Sequence, residues 1–248
     1  MALSISQTAA LSSIRKPGMK VAAMGYPDLI APTKIIELFL GEKWPLLEYR
    51  ADSEAICRRH GLALRDIPDA KSFFKLLDWN LDVYDIVQER GGEILCDLNY
   101  AWGRNGQFDP QMDYDIVLDV GTVEHCFNIG QAMFNMAGLV KVGGYIIHEN
   151  PFNNPNHGFY NLNPTFFVDF YEQNGFKVIE CKLTNKNGDS AEVPHTKRFR
   201  FGSDEVNVFC LAQRMKVQSF IYPTQSKYKK LLADAGLAGE NPKETVHG

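Results

Sequence analysis

The sequence lacks the loops and long apolar runs that would place it in several common protein classes. No G-x-G-x-x-G stretch follows a predicted strand, which argues against a nicotinamide-dependent oxidoreductase. No G-x-x-x-x-G-K-[ST] loop is present either, which argues against a nucleoside triphosphatase. No apolar run approaches the roughly 20 residues that a membrane-spanning helix needs. We therefore expect no membrane span.

The chain also lacks an excess of positive charge. It has 26 Lys+Arg against 30 Asp+Glu, a net charge of −4, so no general basic field favours a nucleic-acid partner. The exception is the segment "HTKRFRFG" (residues 195–202), in which Arg198 is a candidate for holding a charged acceptor. A solvated hairpin explains this segment equally well.

Cysteine is sparse and irregularly spaced. The five cysteines are an odd number, and none forms a C-x-x-C pair, which argues against both a disulfide framework and a zinc site. We predict a reducing, cytoplasmic location. Glu124 and His125 are adjacent but lack an H-x-x-x-H or cysteine partner, so we predict no metal site.

Apolar segments alternate between strand-like and helix-like patterns from residue 19 to residue 215. We predict strands at "MKVAAM", "LLEYR", "LDVYD", "EILCD", "YDIVLD", "YIIHE", "FKVIECKL" and "VNVFCLAQRM", with helices between most of them and a turn at Gly143-Gly144 before "YIIHE". This order predicts a Rossmann-like, doubly wound, mostly parallel α/β sheet whose last strand is antiparallel. Ligands of such sheets bind outside the carboxyl ends of the strands.

The two ends of the chain are predicted to lie outside this domain. The first residues, "MALSISQTAALSSIRKPG", are Ser-rich and without acids, but they lack the apolar core of a leader; we predict a short helix or cover over residues 1–18. Residues 216–248 are predicted to be a tail that frays at its end.

Two segments resemble class I S-adenosylmethionine (SAM) dependent methyltransferases. "YDIVLDVGTVEH" is similar to their fourth strand and the V-x-E-H that follows it, and "LVKVGGYIIHENP" is similar to the segment around their fifth strand. "VYDI" and "CDLN" resemble the acid-bearing ends of strands two and three. "NHGFYNLNPTFFVDFYEQNGF" resembles a substrate-side loop and helix of bacterial members found with sugar or surface-polysaccharide genes. The resemblance implies a SAM-dependent O-methyltransferase acting on a saccharide or other small polar acceptor.

The first loop departs from the family pattern. "AMGYPDLIAP" has a single glycine, Gly25, where the family has a glycine-rich turn that lets the backbone approach the ligand. Two functions from different classes therefore remain open: an active methyltransferase, and a catalytically inactive methyltransferase-like binding or scaffold protein. The oligomeric state, monomer or homo-oligomer, is also left open.

The resemblance assigns cofactor contacts to strand ends. The ribose would be held by Asp85, with Asp52 as the alternative, although Asp52 also suits a helix N-cap. The other implied cofactor contacts are Gly25, Tyr26, Asp97, Leu98, Asp119, Val120, Gly121 and His125.

The polar segment from His148 to His157 is predicted to carry the catalytic chemistry. Methyl transfer to a hydroxyl requires removal of the acceptor's proton, and histidine titrates near neutrality, so His157 or His148 is the predicted base. Acceptor contacts are predicted at Asn153, Asn156 and Tyr160. We interpret Glu124 as a first-turn residue that favours the following helix dipole.

Overall fold

The protein is described here by a computed structural model covering residues 2–102, 113–185, 189–192, 205–234 and 236. The strands of these residues are β1 Ala2–Leu3, β2 Lys20–Met24, β3 Asp28–Leu29, β4 Asn80–Asp85, β5 Ile94–Leu95, β6 Tyr114–Asp119, β7 Val140–Pro151, β8 Phe176–Asn185, β9 Ser190–Glu192 and β10 Val206–Arg214. The helices are α1 Ile5–Ile14, α2 Thr33–Leu40, α3 Ser53–Arg59, α4 Ala70–Leu76, α5 Ile129–Leu139, α6 Pro164–Gln173 and α7 Ser226–Asp234. Short 3₁₀ helices span Gly41–Leu46 and Val123–His125.

Eight of these strands form one sheet in the order β5-β4-β2-β6-β7-β10-β8-β9. The first five strands of that order run parallel, and β10 runs antiparallel to both β7 and β8. The predicted fold class, a doubly wound and mostly parallel sheet with an antiparallel last strand, is confirmed.

Alternate residues of the central strands face two separate cores. Ala22 and Val117 face a core shared with α5 and α6, whereas Val21 and Ile116 face a core shared with α1, α2 and α4. Burial on both faces explains why these strands read as continuous apolar runs rather than as alternating patterns. None of the helices in the described residues has both the length and the apolar character of a membrane-spanning segment.

The N-terminal segment is a helix that packs on the domain. Ser4 and Gln7 form a capping box at the start of α1, and the Ser4 hydroxyl also hydrogen-bonds the buried carboxylate of Glu149. Thr184 donates a second hydrogen bond to Glu149 at 2.8 Å. Burial raises the pKa of Glu149 despite these contacts.

Several predicted elements differ in the structure. "LLEYR" contributes only an isolated bridge between Tyr49 and Pro68, so it is not a strand of the sheet. The tail contains α7, which begins where Asp169 accepts hydrogen bonds from the backbone and hydroxyl of Ser226.

The Gly143-Gly144 pair, predicted as a turn before a strand, lies inside β7. A Cβ atom on Gly144 would sit 2.9–3.0 Å from the carbonyl oxygens of Tyr114, Asp115 and Lys141. The pairing of β6 with β7 is irregular at this point. Position 144 therefore requires glycine, because the backbone carbonyl groups of neighbouring segments leave no room for a Cβ atom.

We expect Gly144→Ala to lower the free energy of unfolding by about 1–3 kcal/mol, because backbone atoms must move to admit the methyl group. Gly138→Ala is the matched control. It lies within α5 with its nearest neighbour 3.9 Å from the added Cβ, so we expect a gain of up to about 1 kcal/mol from helix propensity. Urea unfolding of both variants measures this, and effects of the same sign would contradict the packing account.

Candidate functional site

The sheet changes winding direction between β2 and β6. Chain connections run from β2 outward to β4 and β5, and then return to β6 and continue outward to β7 on the other side. Met24 is paired with Asp119 at the carboxyl ends of the two strands. A crevice for a ligand is expected at such a switch point.

Asp119, at the end of β6, is fully buried and hydrogen-bonded on both oxygens. Oδ1 accepts from the Thr122 backbone at 2.8 Å, and Oδ2 lies 2.7 Å from His148 Nδ1 and 2.9 Å from Asn150 Nδ2. Burial alone would raise its pKa, but these hydrogen bonds outweigh it and lower the pKa of Asp119. These contacts favour the ionised carboxylate at the buried carboxyl end of β6.

His148 is not placed to meet an acceptor. Its side chain is fully buried within β7, and its Nε2 lies 2.5 Å from the hydroxyl of Tyr171. Nδ1 and Nε2 of His148 thus each share a short hydrogen bond, one with the Asp119 carboxylate and one with the Tyr171 hydroxyl, and burial raises the pKa of Tyr171. With both ring nitrogens engaged, His148 orients Asp119, and the geometry does not support the predicted role as base.

Asn150 links Asp119 to a second buried carboxylate, that of Glu124. Its Nδ2 group donates to Asp119 Oδ2 and to Glu124 Oε2, both at 2.9 Å. Two atoms of this group are buried acceptors without a hydrogen-bond partner, Asn150 Oδ1 and Glu124 Oε1. Glu124 lies in the first turn of the 3₁₀ helix Val123–His125, and α5 begins only at Ile129.

Two histidines converge on the unpartnered oxygen of Glu124. His157 Nε2 lies 3.4 Å from Glu124 Oε1, and His125 Nε2 lies 3.9 Å from the same atom. Both imidazoles are about half exposed, and their ring centroids are 5.2 Å apart. The carboxylate raises the pKa of His157. These distances are long for hydrogen bonds, so the contacts are mainly electrostatic.

Backbone contacts hold His157 beside Glu124. The Phe159 backbone N–H donates to the Glu124 carbonyl oxygen at 2.9 Å, and a Cβ on Gly158 would lie 2.8 Å from that oxygen. Asn156 adopts a left-handed conformation with φ 63°. This long-range pairing has no local signal, which is why the sequence did not predict it.

Asp85 is the last residue of β4, and Asp97 follows the neighbouring strand β5. Asp85 Oδ1 accepts from the backbone of Ile86 at 2.7 Å, and Asp97 Oδ1 accepts from the backbone and side chain of Asn99, each at 2.8 Å. Ile86 and Val87 are 65% and 47% exposed directly beyond Asp85. An acid followed by exposed apolar side chains at a strand end suits a ligand with hydroxyls and a flat ring.

The first loop is closed by side chains rather than left open by glycines. Gly25 has φ 81°, and its N–H donates to the Tyr84 carbonyl at 2.7 Å. Tyr26 is buried with its hydroxyl 2.6 Å from Asp69 Oδ2, and burial raises its pKa. Neither the Gly25 N–H nor the Tyr26 hydroxyl is therefore available to a ligand.

Asp52 belongs to the same closed region. Its carboxylate pairs with Arg50, at 2.9 Å, and with Arg90, whose guanidinium also contacts the buried Asp28 at 3.2 Å. Arg50 and Arg90 both lie over the ring of Tyr26. Asp52 occupies the N-cap position of α3 without capping it through its side chain. In chain order, the second strand of the large sheet is β4, which ends at Asp85, whereas Asp52 lies outside the sheet.

The remaining predicted cofactor residues lie along the same edge. Val120 is buried and its carbonyl accepts from Ala2 at 3.2 Å, and Leu98 is buried with its carbonyl bonded to Asn135. Gly121 has φ 89°, and a Cβ there would lie 3.4 Å from Glu124 Oε1. Gly121 thus leaves space beside the unpartnered oxygen.

Two of the predicted acceptor residues, Asn153 and Tyr160, form hydrogen bonds with the protein backbone. Asn153 Oδ1 accepts from the Val206 backbone at 2.7 Å, and the Tyr160 hydroxyl donates to the Phe127 carbonyl at 2.8 Å. Phe127 and Phe159 form an exposed edge-to-face pair with centroids 5.5 Å apart. Arg198 lies outside the described residues.

No protein-family model matches the sequence, and no curated protein matches it. Among solved structures, the chain is similar to a 1,6-didemethyltoxoflavin-N1-methyltransferase from Burkholderia thailandensis at 11% identity, over 84% of this chain and 76% of that one, with a TM-score of 0.48. A methyltransferase-like protein from Bacillus halodurans matches at 11% identity over 85% and 100% of the two chains, with a TM-score of 0.42. TehB from Haemophilus influenzae matches at 14% identity over 84% and 62%, with a TM-score of 0.41. These similarities are too distant to assign a function.

We expect Tyr171→Phe to lower the free energy of unfolding by about 1–3 kcal/mol, because it leaves His148 Nε2 buried without a partner. Tyr160→Phe removes a more exposed hydroxyl and should cost less than about 1 kcal/mol. Urea unfolding at neutral pH compares the two. Equal losses would show that the buried chain from Tyr171 to Asp119 is not a stabilising unit.

Proposed function

We propose that this protein is a SAM-dependent methyltransferase that methylates a hydroxyl oxygen of a saccharide or another small polar acceptor. One observation carries the proposal: Asp85, Asp97 and Asp119 lie at the carboxyl ends of strands on one edge of the sheet, on both sides of the switch point. The resemblance of the segments around these residues to class I methyltransferases supports it.

The spacing of these acids fits an extended cofactor. β4 and β6 are separated by β2 alone, so Asp85 and Asp119 lie on strands roughly 10 Å apart. Asp85 would accept the ribose hydroxyls, and Ile86 and Val87 would lie against the adenine ring with Leu98 and Asp97. The methionine part would lie over Gly121, where Asp119 and the unpartnered Asn150 Oδ1 favour its ammonium group.

The acceptor would lie at the exposed side of Glu124, between His125 and His157. SAM supplies a methyl group on a sulfonium, and the carbon–sulfur bond breaks with its electrons remaining on sulfur. The chain has to position the acceptor oxygen and take its proton. In the metal-free protein His157 is our proposed base, and Asn156, Tyr160, Phe127 and Phe159 would form the acceptor wall.

A second function is favoured by one specific observation. The closed first loop, in which Tyr26, Arg50, Arg90 and Asp52 take the place of a glycine-rich turn, suits a methyltransferase-like protein that binds an acceptor or partner without turnover.

We further propose the same domain limits, 19–215 with packed extensions, and a reducing cytoplasmic location consistent with five free cysteines.

Calorimetric titration with SAM, S-adenosylhomocysteine and NAD tests the cofactor proposal. We expect binding of the two sulfur ligands and no binding of NAD. Asp85→Ala should weaken SAM binding by roughly 10–100-fold, because it removes charge-assisted hydrogen bonds. Asp52→Asn is the matched control; it disturbs the Arg50–Arg90 pairing and should lower stability without changing SAM affinity.

If SAM binding were instead weakened by Asp52→Asn and unchanged by Asp85→Ala, the ribose would lie in the region of the first loop. Binding of none of the three ligands would favour the inactive function.

His157→Ala should lower turnover by about 10²–10⁴-fold while leaving SAM affinity unchanged. Formation of S-adenosylhomocysteine in the presence of a panel of saccharides measures this. Retained turnover would exclude His157 from the acceptor site.

A further inference from the structure

Glu124, His125 and His157 bring one carboxylate and two imidazoles together around a common point. One ligand atom from each lies within 4.8 Å of the others. Adjacent positions 124 and 125 alone would not suggest a metal centre, which is why the sequence predicted none. The third ligand comes from the loop after β7.

The buried oxygen of Glu124 is the observation that points to a cation. Oε1 is inaccessible to solvent and has no hydrogen-bond partner, although two imidazole nitrogens face it at 3.4 and 3.9 Å. A carboxylate oxygen that is buried without a hydrogen-bond partner lowers the stability of the folded protein. If imidazole N–H groups were its intended partners, distances near 2.9 Å would be expected.

A metal ion satisfies this geometry with small side-chain movements. Carboxylate oxygen and imidazole nitrogen bind such ions at about 2.0–2.2 Å, so two ligands of one ion lie roughly 3.0–3.4 Å apart. The half-exposed imidazoles can close the remaining gap by rotation.

The surroundings resemble a built site. Asn150 fixes Glu124 by donating to Oε2, which leaves Oε1 directed at the imidazoles. Gly121 leaves open space beside Oε1, and Gly158 admits the close contact that places His157.

We propose that Glu124, His125 and His157 bind one divalent first-row transition-metal ion. Two imidazoles with one carboxylate favour Mn²⁺, Fe²⁺, Co²⁺, Ni²⁺ or Zn²⁺ over Mg²⁺, which prefers oxygen ligands. Three protein ligands on an exposed edge leave coordination positions for acceptor oxygens.

The role of the ion rests on the proposed function, whereas its binding does not. A bound ion would occupy His157 Nε2, so the histidine would serve as a ligand instead of a base. The ion would then lower the pKa of a coordinated acceptor hydroxyl, whose proton leaves to water as the oxygen accepts the methyl group. Acceptors with two neighbouring oxygen atoms, such as sugar diols, are the class that such an ion can chelate.

The test is metal titration of the full chain after removal of ions with EDTA and dialysis. We expect one Zn²⁺ or Co²⁺ per chain by calorimetry, with ligand-field absorption for Co²⁺, and much weaker binding of Mg²⁺. His125→Ala and His157→Ala remove half-exposed side chains and should each weaken Zn²⁺ binding by more than about 100-fold, beyond the 10–100-fold typical of outer-shell changes.

His60→Ala is the matched control, because it removes an imidazole that contacts Asp28 away from this cluster. We expect it to bind Zn²⁺ as the unaltered protein does. Zn²⁺ binding by His125→Ala and His157→Ala that is as tight as that of the unaltered chain, or no binding by the unaltered chain, would overturn the proposal. SAM titration of the same samples separates the two proposals, since metal binding without SAM binding would refute only the methyltransferase function.

Discussion

One amide group connects the two halves of the candidate site. Asn150 Nδ2 donates to Asp119 and to Glu124, and both carboxylates are fully buried. Two acids placed so close together would repel each other without a shared donor. Because Asn150 lies within β7, this bridge also fixes the position of the proposed acceptor edge relative to the proposed cofactor floor.

The bridge depends on the surrounding core. His148 lies two residues earlier on the same strand and contacts the same oxygen, Asp119 Oδ2, and Tyr171 from α6 contacts His148. A chain of hydrogen bonds therefore runs from helix α6 through the central strands to the crevice. Such networks are stabilising only when their members are satisfied. The two acceptors that remain without partners, Asn150 Oδ1 and Glu124 Oε1, are the atoms at which we place ligands.

The sequence was sufficient for the fold and for the strand-end acids. Buried parallel strands read as apolar runs, and Asp85 and Asp119 end β4 and β6 as predicted. The strand count before Asp97 required the structure, because "LLEYR" has the composition of a strand but forms only a single bridge. The closed loop around Tyr26 was also missed, since its partners come from three separate segments.

The chemistry of the acceptor edge could not be predicted from local patterns. Asn150 and His148 appeared to belong to a polar loop, yet β7 continues through Pro151 and buries them. The pairing of His157 with Glu124 depends on Gly158 and on a backbone hydrogen bond between distant segments. Only the folded chain shows that the imidazole of His157 lies beside the buried carboxylate of Glu124, in the 3₁₀ helix after β6.

The most direct test of this account is a crystal structure of the protein with S-adenosylhomocysteine and Mn²⁺, using anomalous scattering to locate the ion. We expect the ribose on Asp85, the amino-acid end over Gly121 beside Asp119, and one anomalous peak within bonding distance of Glu124 Oε1, His125 and His157. A nucleoside bound away from the switch point between β2 and β6 would contradict the central claim that this edge of the sheet is a single cofactor and acceptor crevice.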